Sequence, residues 1–166
     1  VAEVLLDAFE RIREEVHAVV EGLTTDQLTT RVAPTVNTIA WLVWHLTRVQ
    51  DEHLAEIIGR EQVWTEQGFV ERFALPLDRL STGYGHTTDE VSAVRADADL
   101  LASYYDAVHQ STVDFVGGVT DADLDRIVDR RWNPPVTLGV RLVSVIADDL
   151  QHVGQAAFVR GIVTAA

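Results

Sequence analysis

The sequence contains no cysteine. That excludes a disulfide framework, a thiolate metal site and a sulfur nucleophile carried by the chain itself. Any thiol chemistry must therefore use a thiol brought by a cofactor. Lysine is missing too: all 13 basic residues are arginine, against 26 acidic ones, for a formal net charge of -13. This balance opposes nucleic acid, whose phosphates require clustered cations, and it opposes anionic membrane surfaces as well. The acidity is read as solubility, and the arginine skew fits a GC-rich coding sequence. No apolar run approaches the ~18 residues of a membrane-spanning helix. No basic stretch followed by an apolar one marks a signal peptide. These absences predict a cytoplasmic chain with neither nucleic acid nor membrane as partner. A G-x-S-x-G elbow and a phosphate-binding glycine loop are also missing.

What is present is a helical pattern. Hydrophobic residues make up 47% of 166, enough for one domain with a sizeable core. Four long segments carry helical period. The first runs about Ala2 to Glu21, with Leu5, Phe9, Ile12, Val16 and Val19 on one stripe and Gly22 as its stop. The second runs about Thr38 to Ile58, capped by Asn37 or Thr38 and stopped by Gly59. The third runs about Thr88 to Val116, opening on the capping-box pattern "TTDE". The fourth runs about Thr137 to Val163, after Pro134-Pro135 has fixed an extended approach. No comparable segment alternates with period two. The expected fold is all-α, a four-helix bundle in a single domain over residues 1–166.

The connections add to this. Roughly thirty residues rich in glycine and aromatics separate the second and third helices, too many for a bundle turn. A crossover or a functional lid is expected there. The other two connections resemble each other, "GLTTDQL" after the first helix and "GVTDADL" after the third. They suggest two helix pairs related by a pseudo-twofold axis, with the second and fourth helices as equivalents.

Charged groups interrupt the fourth helix at "DDLQHVGQ". Asp148 and His152 are four apart, about 40° around the helix, and Asp149 lies about 60° to the other side of His152. A metal makes ionised oxygen and neutral nitrogen favourable in one pocket. A carboxylate orienting an imidazole, or a solvated face, explains the spacing too. His45, in "WLVWHL" on the second helix, is surrounded by apolar residues and must be hydrogen-bonded or ligated. The pseudo-twofold axis would bring it to His152. His53 falls further along the same helix, His86 in the glycine-rich "TGYGHT", His17 beside the first stripe, and His109 where Asp106 is a partner. Three acid-x-x-His pairs (Glu14-His17, Asp106-His109, Asp149-His152) share the spacing of di-iron bundles. That motif uses Glu, however, and His17 is off the core stripe, which weighs against a di-iron oxidase.

The His152-x-Gly-Gln155 run, with a ligand-type residue four before the histidine and a histidine in "WLVWHL", resembles the DinB-like superfamily. Within it, the chain is similar to the actinobacterial branch of mycothiol-dependent maleylpyruvate isomerase and the mycothiol S-transferases, over essentially its whole length. The resemblance implies a four-helix bundle, often dimeric, with one divalent metal bound by His45, Asp148 and His152. Zinc is the first expectation, with nickel, manganese or iron as alternatives. It implies activation of a low-molecular-weight thiol such as mycothiol for attack on a small electrophile. Arg48 and Arg160 are candidate contacts to a carboxylate of thiol or substrate. Asp148 stands where that branch carries Glu, one methylene longer, with Asp149 as its substitute. The departure motivates the alternative of a non-catalytic metal-binding or stress-associated bundle with a vestigial site. Apolar residues on several helix faces predict a homodimer.

Overall fold

The structure, a computed structural model, describes residues 1–165. Helix α1 (Ala2–Val20) buries Leu5, Phe9, Ile12, Val16 and Val19, the stripe given by its period. A single turn, α2 (Thr25–Leu28), follows, in which Thr24 and Gln27 cap one another. Helix α3 (Ile39–Ile58) begins at Thr38, whose hydroxyl accepts the Trp41 N–H, and stops at left-handed Gly59. Every residue from Ile39 to Asp51 is buried, so α3 has no solvent face in its first half.

The long connection holds two short helices, α4 (Val63–Glu66) and α5 (Phe69–Phe73), and then a loop that returns over α3. The third long helix differs from expectation. It is two helices, α6 (Thr88–Ala93) and α7 (Ala98–Val116), separated by an extended segment. The capping box at Thr87 and Glu90 starts α6, but Asp97 starts a second helix by accepting the Leu100 N–H. Val94 and Ala96 between them are buried, so the break is held by packing as well as by the cap.

After α7 the chain makes a 3-10 turn (Asp121–Asp125) and a small antiparallel hairpin, β1 (Ile127–Asp129) with β2 (Val136–Thr137). Helix α8 (Leu138–Ala165) completes the bundle. It packs on α3 and α1, while α7 packs on α1 and α3. The likeness of the two shorter connections holds in their first turns. Thr24 donates its N–H to Gln27, and Thr120 donates its N–H to Asp123. Beyond that they diverge, because only the second forms a hairpin. Residues of all four long helices meet in one apolar cluster. Among the described residues no helix is long and apolar enough to cross a membrane.

Candidate metal centre

Helix α3 supplies His45 and α8 supplies Asp148 and His152. One ligand-type atom from each lies within 4.8 Å of the other two. No other group of three His and carboxylate side chains converges in this way among the described residues. The helical period explains the α8 pair: Arg141, Asp148 and His152 share the face turned to α3, while Asp149 turns to the core.

His45 is 3% exposed and tightly held. Its Nδ1–H donates to the Thr82 carbonyl, which fixes the tautomer and leaves Nε2 free to ligate. Its ring stacks on Trp41 at 4.5 Å between centroids and 14° between planes. Tyr84 closes the edge at 5.4 Å. Burial pushes the His45 pKa below the ordinary imidazole value, with the Thr82 bond opposing it, so the neutral, ligating form is favoured.

His152 is held more loosely. Its Nε2 lies 3.6 Å from Asp148 Oδ1, and its Nδ1 lies 3.2 Å from the Gln155 amide oxygen. Asp148 raises its pKa, and burial opposes. The other Asp148 oxygen, Oδ2, is buried and has no hydrogen-bond partner. A buried acceptor on a carboxylate beside two imidazoles is an unmet requirement that a cation would satisfy. Two neutral nitrogens and one carboxylate are also a donor set that suits a divalent ion with open positions. The residues present therefore fit a metal. Asp149 does not join them: it is 0% exposed, and neither of its oxygens has a partner. Burial, with the Asp148 charge second, pushes its carboxyl well above the usual range.

The loop that touches His45 is itself anchored. Arg48, one turn further along α3, is completely buried. Its guanidinium donates to the carbonyls of Ser81 (3.1 Å) and Leu80 (3.3 Å), to Gln62 Oε1 (2.9 Å) and to the Tyr104 hydroxyl (3.2 Å). Asp51 completes the network by accepting the N–H groups of Val63 and Trp64 and the Tyr104 hydroxyl. Arg48 is thus a strut beneath the loop that carries Thr82, without the open side that a contact to bound substrate requires. Gly83 follows Thr82 with φ +103, and a Cβ there would stand 2.5 Å from His45 Nδ1 and 3.0 Å from the Trp41 ring. Only glycine lets the backbone come this close.

The remaining expected residues are distributed elsewhere. Arg160 donates to the Val19 carbonyl and ties α8 to α1. His17 pairs with Asp106 at 2.8 Å, and Arg13 shares that carboxylate, while His109 pairs with Glu10 at 3.1 Å. Two of the three acid-x-x-His pairs are therefore divided among partners on the α1–α7 seam. His86 accepts the Trp41 indole N–H and bonds Ser81 Oγ. His53 accepts from Arg141 at 3.1 Å.

Two clefts flank the triad. One, of about 630 Å3, is mainly apolar and includes Val36, Leu42, Phe158 and Gln155, the partner of His152. The other, of about 640 Å3, is polar and aromatic and includes His53, Tyr84, Trp132 and Arg141.

A helical bundle of this topology, with a histidine of α3 facing a carboxylate-x-x-x-histidine pair of α8, defines the DinB-like class. The family model of mycothiol S-transferase matches residues 4–165, and the chain belongs to that family. Its fold is similar to that of a conserved protein from Enterococcus faecalis known from a crystal structure. The two share 30% identity and a TM-score of 0.93, covering 100% of this chain and 98% of that one. No curated protein matches the chain.

Proposed function

We propose that this chain, a single domain over residues 1–166, is a metal-dependent S-transferase that joins a low-molecular-weight thiol of the mycothiol type to a small electrophile. The observation that carries this reading is the convergence of His45, Asp148 and His152 with one buried carboxylate oxygen left unpartnered. The family supports it with the substrate class in its name. A divalent ion held by His45, Asp148 and His152, zinc first among the candidates, would supply Lewis acidity that favours the thiolate form of a thiol near neutral pH.

The chain's own residues do the rest. Thr82 fixes the His45 tautomer, and Gln155 and Asp148 orient His152 from either side. The two clefts give a thiol and an electrophile separate approaches to one point. The S–H bond breaks and its proton passes to water, while the sulfur bonds the electrophilic carbon as the leaving group departs with the electron pair of its own bond to that carbon. Because the chain has no cysteine, no internal thiol competes for that position.

The outer stripe of α8 supports a homodimer. Val140, Val143, Leu150, Phe158 and Ile162 are exposed on one side of the helix, with Gly154 and Gly161 open between them. Phe158, 72% exposed, is its largest member. Such an apolar stripe on a single helix suits an isologous contact between two copies.

The test is depletion of mycothiol across a panel of electrophiles, using metal-loaded and chelator-treated protein. The expected result is thiol loss that needs the metal and disappears in His152→Ala. Metal-replete protein that consumes no thiol with any electrophile would favour a non-catalytic bundle.

A further inference from the structure

We infer that the apolar cleft on the Gln155 side of the triad selects the electrophile. The ligand class it fits is an uncharged aromatic ring bearing acceptor substituents such as nitro or carbonyl groups. That this ring is an electrophile rests on the S-transferase reading above. The ring site itself rests on charge, space and a tie to His152.

Charge sets the ligand class. None of the nine residues around this cleft is ionisable, in a chain where 23% of residues are charged. Its counterpart across the triad presents His53, Asp129, Arg131 and Arg141. A charged molecule entering the Gln155 side would give up its hydration and meet no counter-ion. Leu42 and Val159, both buried, supply apolar surface together with Val36 and Phe158. The polar groups are chiefly amides. Gln155 turns its oxygen to His152, which leaves its N–H groups for another acceptor, and Gln151 donates to the Ala147 carbonyl. Amide donors suit nitro and carbonyl oxygens. Those same substituents withdraw electrons from the ring and prepare it for a nucleophile.

Space points to the same class. Gly154 lines the cleft from the middle of α8, and a Cβ placed there would meet nothing within 4 Å. Glycine inside a helix is less favourable than alanine, yet its missing side chain is room that the cleft gains. Phe158, largely exposed, offers a ring on which a flat ligand can stack. The volume of about 630 Å3 lies in the usual range for small-molecule sites.

The tie to the triad is Gln155, which both lines the cleft and lies 3.2 Å from His152 Nδ1. A ring held against Gln155 therefore has one edge toward the ligating side chains. With a chlorinated ring the carbon–sulfur bond forms and the carbon–chlorine bond breaks. Chloride leaves with the bonding pair, and the S–H proton passes to water.

The experiment is calorimetric titration of the metal-loaded chain with meta-dinitrobenzene, which has the ring and its acceptors but no leaving group. It should bind wild type, and its charged counterpart dinitrobenzoate should bind about tenfold more weakly. Gly154→Leu fills the cleft with a side chain that suits a helix, and should weaken dinitrobenzene binding by about tenfold. Val36→Glu, which lies outside the α8 stripe, should do the same by placing a charge in the wall. In turnover of chlorodinitrobenzene with mycothiol, Gly154→Leu should raise the KM of the electrophile about tenfold and leave that of the thiol unchanged. Wild type that does not bind dinitrobenzene, or variants that bind it as wild type does, overturn the assignment. So does a Gly154→Leu chain in which only the KM of the thiol rises. Binding that fades as the chain concentration increases overturns it too, because a second copy then occupies the cleft. Dinitrobenzene binding without any thiol turnover would remove the S-transferase reading and leave the ring site standing. Turnover of chlorodinitrobenzene with an unchanged KM in both variants would do the reverse.

Discussion

His45 and His152 present the same ring to the same point, yet the fold holds them differently. On the α3 side, His45 is buried, stacked on Trp41, bonded to Thr82 and closed over by a loop that Arg48 pins from beneath. On the α8 side, Asp148 and His152 are half-buried, and a 3.2 Å contact with Gln155 is the principal restraint on the imidazole beyond the pair itself. The α3 half is preorganised at the expense of burying charge. The α8 half is less buried and is tied to the rest of the fold by ring packing, with His152 edge-on to His45 and Trp41, and not by backbone hydrogen bonds.

Breaking the α3 side should therefore damage the fold and the site together. Arg48→Ala leaves Asp51 buried without its cation and frees the Ser81 and Leu80 carbonyls. It should cost about 3–5 kcal/mol in urea unfolding and abolish metal retention. By contrast, His152→Ala should change the stability of the metal-free chain by no more than about 1 kcal/mol while sharply reducing metal affinity. Equal stability losses for the two variants would erase the distinction between the halves.

A smaller change sharpens it. Gly83→Ala places a methyl group against His45 and Trp41 at a backbone angle that disfavours side chains. Metal affinity should fall about 10–100-fold, as when an outer partner of a ligand is disturbed. Gly85→Ala, whose φ is +72 but whose Cβ meets nothing within 4 Å, should cost only about 1 kcal/mol and spare the metal. Chelator competition distinguishes the two.

The smallest expected effect is on pH dependence. Burial holds His45, His53, His86 and His109 below the ordinary imidazole value. Each is neutral in the fold when the unfolded chain, with pKa about 6.5, already binds a proton. The unfolded state then holds more protons, so stability falls as pH drops below about 6.5. His152 and Asp149 have the opposite sign: Asp148 raises the first pKa and burial the second, and the stability they add at low pH is lost as pH rises through those raised values. In metal-free protein the urea midpoint should decline from pH 7 to pH 5.5, from about half a unit above to about one unit below the ordinary imidazole value. The decline should be steeper in Asp148→Asn. A midpoint flat or rising over that window would contradict the expectation that burial of the four rings outweighs the two opposing groups.

Much of the geometry was legible because it follows from period. Leu5 to Val19 on α1, and Asp148 with His152 on one face of α8, need only helical spacing. Backbone groups and loops leave weaker traces. A carbonyl such as that of Thr82 has no side-chain signature, and only the glycines of "TGYGHT" hint at a close approach. Arg48 reads from sequence as a contact for ligand or solvent, because the loop that buries it is distant along the chain. The break before α7 was carried by Asp97, a second cap hidden within one continuous apolar pattern.

The three side chains should hold one divalent ion. Metal analysis after reconstitution and desalting tests it directly, on wild type, His45→Ala and His152→Ala. About one ion per wild-type chain and little in either variant is expected. A wild-type chain that retains no metal under those conditions would contradict it.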